Sequence, residues 1–213
     1  MLELTRDKLN IMNKEKGHKI LVCIDCQEDF VTGALGSEEA QKRIAPIVDK
    51  IKSFDGDLVI FTLDTHGEDY LETKEGKALP VKHCIKGTKG WSLVKEVELA
   101  REYLISKGIT TKTICKPTFG SAYRIGDEKS LTAEILDATL IDGVIKGIPT
   151  EIEFVGFCTD ICVISNVLIM KALTHDFADI TVDASCCAGV TKEKHDAAIE
   201  VMRSCQINII NQN

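Results

Sequence analysis

The stretch VGFCTDICVIS, residues 155–165, carries most information about the fold, because it joins an apolar run to a helical segment. The run EIEFVGF (151–157) is typical of a buried strand, and a helix is predicted over residues 161–175. Two cysteines and a Thr-Asp pair interrupt the apolar residues between Cys158 and Cys162. Free cysteine packs as a small hydrophobic residue, which gives one interpretation. The alternative is a nucleophile held at a strand-to-helix turn.

The same alternation of short β-rich runs and helical stretches continues along the chain, which favours a parallel sheet covered by helices. The predicted strands are KILVCID (19–25), DLVIFTLD (57–64), TKTICK (111–116), EIEFVGF (151–157), ADITVDA (178–184) and QINII (206–210). The predicted helices span 37–54, 94–108, 130–141, 161–175 and 192–204. We therefore predict an α/β fold: a single domain over 19–213, with a mostly parallel central sheet and helices on both faces. Residues 1–18 are predicted to be a charged lead-in, and residues 65–91 a long ordered loop.

Composition excludes several classes of protein. The chain has 213 residues and a formal net charge of −7, whereas a nucleic-acid-binding protein needs a basic face. No window approaches the roughly 18 apolar residues that a membrane span requires. The first 18 residues contain no apolar signal core, and the nine cysteines are typical of free thiols in a reducing cytosol. We expect a cytosolic protein.

Ionisable residues close several of the predicted strands. Asp25, Asp64 and Lys116 end the first three, and the fourth leads into Cys162. Ligands of open parallel sheets bind beyond the carboxyl ends of the strands, so these side chains are candidates for one site. In such a site Lys116 and a helix N-terminus would favour the Cys162 thiolate, and Asp25 would accept its proton. The alternative is that charged residues simply mark strand ends.

A second cluster of candidates lies in the segment LDTHGEDYLETKEGKALPVKHC (63–84). Asp64 and His66 are two residues apart, so on an extended chain both point to one face. Glu75 and His83 follow later in the loop. This mixed set of oxygen and nitrogen donors suits zinc, iron or manganese. Solvated loop residues are the alternative interpretation.

The remaining cysteines and histidines are assigned structural roles. Cys23 and Cys26 lie three residues apart, which on a strand places them on opposite faces. Cys158 is interpreted as packing beside the turn. Further residues predicted to be core filler, surface residues or caps are Cys186, Cys187, Cys205, His18, His175 and His195.

An ordered set of motifs resembles the nicotinamidase branch of the isochorismatase-like cysteine hydrolases. The motifs are IDCQEDF (24–30), LDTHGEDY (63–70), LPVKHCIKGTKGW (79–91), KPTFGSAY (116–123), GFCTDICV (156–163) and DASCCAGVTKEKHDAAIEVM (183–202). They lie between residues 19 and 210, in the order that the family shows. The resemblance implies the family's three-layer α/β/α fold.

The resemblance also implies a role for individual residues. The catalytic triad would be Asp25, Lys116 and Cys162. The metal ligands would be Asp64, His66 and His83, with Glu75 as a fourth, holding one divalent ion: zinc, or else iron or manganese. A cis peptide bond between Phe157 and Cys158 would aim the N–H groups of Cys158 and Cys162 into an oxyanion hole. The ring contacts would be Phe30, Leu35, Phe119 and Tyr123.

The implied activity is hydrolysis of nicotinamide to nicotinate and ammonia through a thioester, a cytosolic step of NAD salvage. A homo-oligomer is allowed by the resemblance. Two alternatives remain: an amidase of the same superfamily acting on a carbamoyl or ureido compound, and a metal-binding protein without turnover. This chain departs from many members at Thr65, where they carry tryptophan, at Cys158, where they carry alanine, and near Phe119, where they carry tyrosine. Isochorismatases proper lack the cysteine, so Cys162 favours the amidase branch.

Overall fold

Six parallel strands form one sheet in this computed structural model, which describes residues 17–122, 130–139, 148–174 and 176–212. The strands are β1 (His18–Ile24), β2 (Leu58–Asp64), β3 (Thr110–Lys116), β4 (Thr150–Phe157), β5 (Ala178–Ala188) and β6 (Asn208–Ile210). Their order is β3-β2-β1-β4-β5-β6. The chain therefore crosses from one half of the sheet to the other between β3 and β4, so β1 and β4 meet at the point where a ligand crevice is expected.

Helices connect the strands. They are α1 (Glu28–Val31), α2 (Glu38–Ser53), α3 (Lys74–Ala78), α4 (Lys95–Ser106), α5 (Leu131–Thr139), α6 (Ile164–Thr174) and α7 (Lys192–Ser204). Two of the predicted caps are present: Ser37 Oγ accepts a hydrogen bond from Ala40 N at 3.1 Å, and Thr191 Oγ1 accepts one from Lys194 N at 3.3 Å. Each cap satisfies a backbone N–H that has no partner within its helix.

The sheet is covered on both faces, as predicted. Successive strand residues point to opposite sides, so Ile20 and Val22 pack with α5, α6 and α7, whereas Leu21 and Cys23 pack with α2 and α4. The strands read as nearly continuous apolar runs because both of their faces are buried. No helix within the described ranges is long and apolar enough to cross a membrane.

Three local predictions were wrong. The segment 65–91 is not a plain loop, since it contains a 3-10 turn (Tyr70–Glu72) and the five-residue α3, both too short to show a period. The helix predicted to begin at residue 161 begins at Ile164 instead, because Thr159–Val163 form one π-type turn. Cys205 is exposed rather than core filler, whereas Cys186 and Cys187 are buried as predicted. Residues 1–16 of the predicted lead-in, Tyr123 and His175 lie outside the described residues.

Candidate active site

The carboxyl ends of four strands bring the candidate residues together. Asp64 and Lys116 are register partners at the ends of β2 and β3. Asp25 follows β1 directly, in a left-handed backbone conformation with φ +49°. Cys162 lies in the turn between β4 and α6. The sheet topology therefore makes neighbours of residues that are up to 137 positions apart in the chain.

The ammonium group of Lys116 is the centre of this arrangement. Its Nζ lies 2.6 Å from Asp25 Oδ2, 3.4 Å from Asp64 Oδ1 and 3.4 Å from Cys162 Sγ. The Lys116 side chain is 0% exposed. Burial opposes its charge, but the adjacent Asp25, Cys162 and Asp64 outweigh burial and hold the pKa of Lys116 well above its usual value. Lys116 is therefore a buried, permanently charged cation.

Asp25 is held by a second strand as well as by Lys116. Its backbone N–H donates to Thr62 Oγ1 at 3.1 Å, and the Thr62 hydroxyl donates to Asp25 Oδ1 at 2.6 Å. Complete burial raises the pKa of Asp25, although Lys116 acts in the opposite direction. The carboxylate is consequently a stronger base than one in water.

The ammonium group of Lys116 contacts Cys162 Sγ, yet the protonated thiol form of Cys162 predominates. Burial raises the pKa of Cys162 well above its usual value, although Lys116 lowers it. The sequence predicts that Lys116 favours the Cys162 thiolate and that Asp25 accepts its proton; in the structure burial outweighs the cation in setting the pKa of Cys162. The Cys162 thiol thus lies beside the Lys116 ammonium group, which in turn pairs with Asp25, the candidate acceptor of the thiol proton.

A second group of side chains lies directly beside the first. Asp64, His66, Glu75 and His83 each offer a donor atom, and these atoms all lie within 4.8 Å of one another. His66 Nε2 is 2.9 Å and His83 Nε2 is 3.4 Å from Asp64 Oδ2. The His83 Nδ1–H donates to Val81 O at 2.8 Å, so the Nε2 lone pair faces the cluster. This second hydrogen bond is the feature that orients a histidine ligand in metal sites.

The charges and unmet hydrogen-bonding capacity of this cluster fit a cation. Glu75 Oε1 is buried and accepts no hydrogen bond, and it lies 3.6 Å from His66 Nε2 and 4.0 Å from His83 Nε2. Burial and the nearby Asp64 raise the pKa of Glu75. Burial opposes the charge of Asp64, but Lys116 and the two histidines hold the pKa of that carboxyl well below its usual range. Two carboxylates and two imidazoles suit a divalent ion.

Two residues that sequence reasoning assigned no role, Gln27 and Asp29, fix the backbone of the site. The Gln27 side chain is fully buried, and its Oε1 accepts from Asp64 N at 2.7 Å while its Nε2 donates to Asp64 O at 2.9 Å. Asp29 Oδ2 accepts a hydrogen bond from Cys84 N, next to His83, at 2.8 Å. Both residues belong to the motif IDCQEDF, so the motif itself was the available signal.

The residues predicted to contact a ring are placed unequally. Phe30 is 6% exposed, and its ring lies 5.7 Å from that of His83, close to the metal-ligand candidates. Leu35 is half-buried, whereas Phe119 is 44% exposed. The ring centroid of Tyr70, which the sequence did not single out, lies 4.6 Å from that of His66 in a tilted contact and 4.9 Å from that of His83 in an edge-to-face contact. Tyr70 thus forms one apolar wall of the donor cluster.

The turn that carries Cys162 has the features implied by the resemblance. The Phe157–Cys158 peptide bond is cis. Asn166 Nδ2 donates to Cys162 O at 2.8 Å and to Phe119 O at 3.0 Å, and its Oδ1 accepts from Ser121 N at 2.9 Å. This buried amide ties the nucleophile candidate to the segment that follows Lys116.

Thr65, which occupies the position where the resemblance leads us to expect tryptophan, is also explained. The indole Nε1–H of Trp91 donates to Thr65 Oγ1 at 2.8 Å. A tryptophan is therefore present beside Asp64 and His66, but it comes from a later part of the chain.

Known proteins with a similar sequence or fold were found by two comparisons, with family models and with solved structures. The family model described as Isochorismatase domain matches residues 19–213. Among solved structures, a pyrazinamidase/nicotinamidase from Streptococcus mutans UA159 is 27% identical, with a TM-score of 0.70 over 90% of this chain and 99% of that chain. None of the curated protein sequences matches the chain.

Two more distant structures share the fold. The pyrazinamidase of Pyrococcus horikoshii in complex with zinc is 24% identical, with a TM-score of 0.64 over 92% of this chain and 99% of that chain. The yeast nicotinamidase bound to the inhibitor nicotinaldehyde is 19% identical, with a TM-score of 0.68 over 91% of this chain and all of that chain. Because the family model covers residues 19–213, nearly the whole chain, the chain belongs to the isochorismatase family.

Proposed function

We propose that this protein is a metal-dependent cysteine amidohydrolase that converts nicotinamide to nicotinate and ammonia. The observation that carries the proposal is the position of Lys116 Nζ, which contacts Asp25, Cys162 and Asp64 at once. A base, a nucleophile and a set of metal-ligand candidates are thereby joined in one buried site. The S. mutans relative, a pyrazinamidase/nicotinamidase, supports the substrate class.

In the first half of the reaction, Asp25 accepts the proton of Cys162 while Sγ attacks the carboxamide carbon. The raised pKa of the buried Cys162 thiol means that proton transfer accompanies the attack rather than preceding it. Lys116 stabilises the negative charge as it moves between sulfur and carboxylate. Asp64 is a poorer base than Asp25, because Lys116 and the histidines hold its pKa low despite its burial.

The N–H groups of Cys158 and Cys162 are proposed to stabilise the oxyanion, and each such donor contributes on the order of 10²–10³ in rate. Protonated Asp25 then gives its proton to the departing nitrogen, so ammonia leaves and a nicotinoyl thioester remains on Cys162. Asp25 next accepts a proton from water, which attacks the thioester carbon. The C–S bond then breaks, Sγ takes the proton back from Asp25, and the released acid gives its carboxyl proton to water or ammonia to become nicotinate.

Asp64, His66, Glu75 and His83 are proposed to hold one divalent ion, and we assign zinc from the donor set. The P. horikoshii relative, whose structure contains zinc, supports that assignment. When bound, the ion supplies a Lewis-acidic position for the pyridine nitrogen of the substrate. Phe30 and Leu35 would contact the ring, with Phe119 and Tyr123 completing the proposed pocket.

The wider assignment is a role in NAD salvage in the cytosol. All nine cysteines are free thiols, which supports a reducing compartment. The hydrolase domain is proposed to be residues 19–213, after a lead-in at 1–18. The apolar side chains of Leu99, Tyr103 and Ile105 on α4 are exposed, and they support homo-oligomer formation, which sedimentation analysis would measure.

Trapping the covalent intermediate tests the mechanism. We expect acid-quenched protein incubated with nicotinamide to carry a nicotinoyl group on Cys162, identified by peptide mass spectrometry. A carbamoyl or ureido compound that labels Cys162 while nicotinamide does not would replace the proposed substrate with the rival one. Labelling of another cysteine would refute Cys162 as the nucleophile.

A further inference from the structure

The turn that holds the nucleophile candidate is fixed by side-chain hydrogen bonds as well as by its own backbone. In the segment 158–163, which we call the nucleophile turn, the N–H groups of Ile161 and Val163 both donate to Cys158 O at 3.1 Å. Two donors share one acceptor in this wide turn. The N–H group of Ile164 donates to Thr159 O and Ile161 O. Asn166 and Lys116 add side-chain contacts to this turn, to Cys162 O and Cys162 Sγ respectively.

Two further anchors reach the nucleophile turn from the opposite side, at the start of α7. Thr159 Oγ1 and His195 Nδ1 form a hydrogen bond of 2.8 Å, and Asp160 Oδ1 accepts one from Val190 N at 2.9 Å. Thr159 is completely buried. His195 had been predicted to be a surface or cap residue, and this prediction was wrong, because its ring contacts a residue 36 positions earlier in the chain.

The contact between the two segments is tight. A Cβ atom added at Gly189 would lie 2.7 Å from Asp160 Oδ1 and 2.9 Å from His195 N. Such distances leave no room for an intervening side chain. Asp160 of the nucleophile turn therefore lies directly against Gly189, and the Thr159–His195 hydrogen bond joins the same two segments a second time.

The neutral charge of His195 and the cavity beside it make the Thr159–His195 hydrogen bond testable. Burial lowers the pKa of His195, so its ring is neutral at pH 7 and pairs with a hydroxyl rather than with a carboxylate. The His195 side chain also lines a cavity of about 420 Å³, together with Arg43, Ser185 and Thr191. A free imidazole molecule is smaller than this cavity, so its effect on a His195→Ala variant is a direct test of the contact.

We propose that His195 is a positioning residue, which holds the nucleophile turn through Thr159 and so keeps Cys162 aligned with Asp25 and Lys116. The inference rests on the proposed function for its kinetic consequences. The hydrogen bond acts on a residue that adjoins Cys158, one of the proposed oxyanion donors, and precedes Cys162 by three positions. Neither His195 nor Thr159 needs to touch the substrate.

The experiment compares zinc-loaded, full-length variants. His195→Ala is expected to lower kcat for nicotinamide by roughly 10- to 100-fold, because a displacement of about 1 Å costs up to about 100-fold. KM is expected to stay unchanged. His195→Asn, which keeps a hydrogen-bonding group near the place of Nδ1, is expected to retain kcat. Lys194→Ala, an exposed neighbour on α7, serves as the matched control.

Chemical rescue separates positioning from a loss of stability. Imidazole added to His195→Ala should raise kcat, whereas imidazole added to Thr159→Val should not, because the partner hydroxyl is missing. Wild-type protein with imidazole controls for binding to zinc. Combining His195→Ala with Thr159→Val should cost no more than either change alone, since both remove one interaction.

A readout without substrate keeps this inference distinct from the proposed function. The rate at which iodoacetamide alkylates Cys162, followed by peptide mass spectrometry, should fall in His195→Ala even if nicotinamide proves not to be the substrate. Folded His195→Ala with unchanged kcat and unchanged alkylation would overturn the proposal. If His195→Ala does not fold, the same unchanged values in folded Thr159→Val overturn it.

Discussion

Replacing Lys116 with methionine removes the central charge while keeping an unbranched side chain that is one atom shorter. Lys116 Nζ and Asp25 Oδ2 are 2.6 Å apart, and both side chains are 0% exposed. At an effective dielectric constant of about 20, charges at that distance attract by roughly 6 kcal/mol. Desolvation offsets part of this attraction, and removing one partner of a buried pair costs about 3–5 kcal/mol. We therefore expect Lys116→Met to lose about 3–5 kcal/mol of unfolding free energy.

A second substitution tests whether the unpaired charge of Asp25 causes the loss of stability in Lys116→Met. The loss is a large share of the roughly 5–15 kcal/mol that stabilises an ordinary domain. Asp25→Asn in the Lys116→Met background removes the stranded charge and should restore most of the stability, since neutral replacements of buried ion pairs are often tolerated. Urea denaturation at one fixed zinc concentration measures the wild type, Lys116→Met, Asp25→Asn and the double variant. Zinc at that concentration leaves Asp64 with a cation partner. Equal stability of wild type and Lys116→Met, or no recovery in the double variant, would refute the reasoning.

Three other predictions concern single residues. Glu75→Ala should reduce the zinc bound per chain after dialysis, measured by atomic emission, whereas Glu72→Ala in the adjacent turn should not; equal zinc content in both would remove Glu75 from the ligand set. Cys162→Ala should abolish ammonia release while leaving zinc content intact, and residual turnover at the wild-type rate would contradict a thioester route. Asn166→Leu leaves the carbonyls of Cys162 and Phe119 without their donor, so it should lower the free energy of unfolding by about 1–3 kcal/mol. It should also lower kcat, because Cys162 loses a contact that holds it. An unchanged melting temperature would show that these hydrogen bonds contribute nothing to stability.

The strand-end residues could be predicted because a general rule places them. Parallel strands deliver their carboxyl ends to one edge, so Asp25, Asp64 and Lys116 become neighbours whatever the details of packing. The Asp-x-His spacing likewise indicated the donor cluster. The fold class was confirmed, since the alternation of strands and helices is a strong periodic signal over the whole chain. The catalytic and metal-binding roles of these residues remain predictions.

What the sequence did not reveal depends on single side-chain contacts between distant segments. Gln27 reaches Asp64 across 37 positions, and His195 reaches Thr159 across 36. Periodicity does not encode such contacts: the motif IDCQEDF marked Gln27 as a residue of interest, but not its partner Asp64. Tyr70 was missed for a related reason, because its place beside His66 depends on a short turn that has no sequence period. The resting thiol at Cys162 could not be predicted either, because it depends on how deeply the sulfur is buried.

The central claim is that the triad and the donor cluster act on one substrate in one site. Ammonia release from nicotinamide by the purified protein, before and after exhaustive chelation and again after zinc is restored, tests it most directly. Benzamide, which lacks the ring nitrogen, is the matched control substrate. We predict release that chelation abolishes and zinc restores, with benzamide a much poorer substrate under every condition. No release by the zinc-loaded protein, or equal release with and without zinc, would contradict the account.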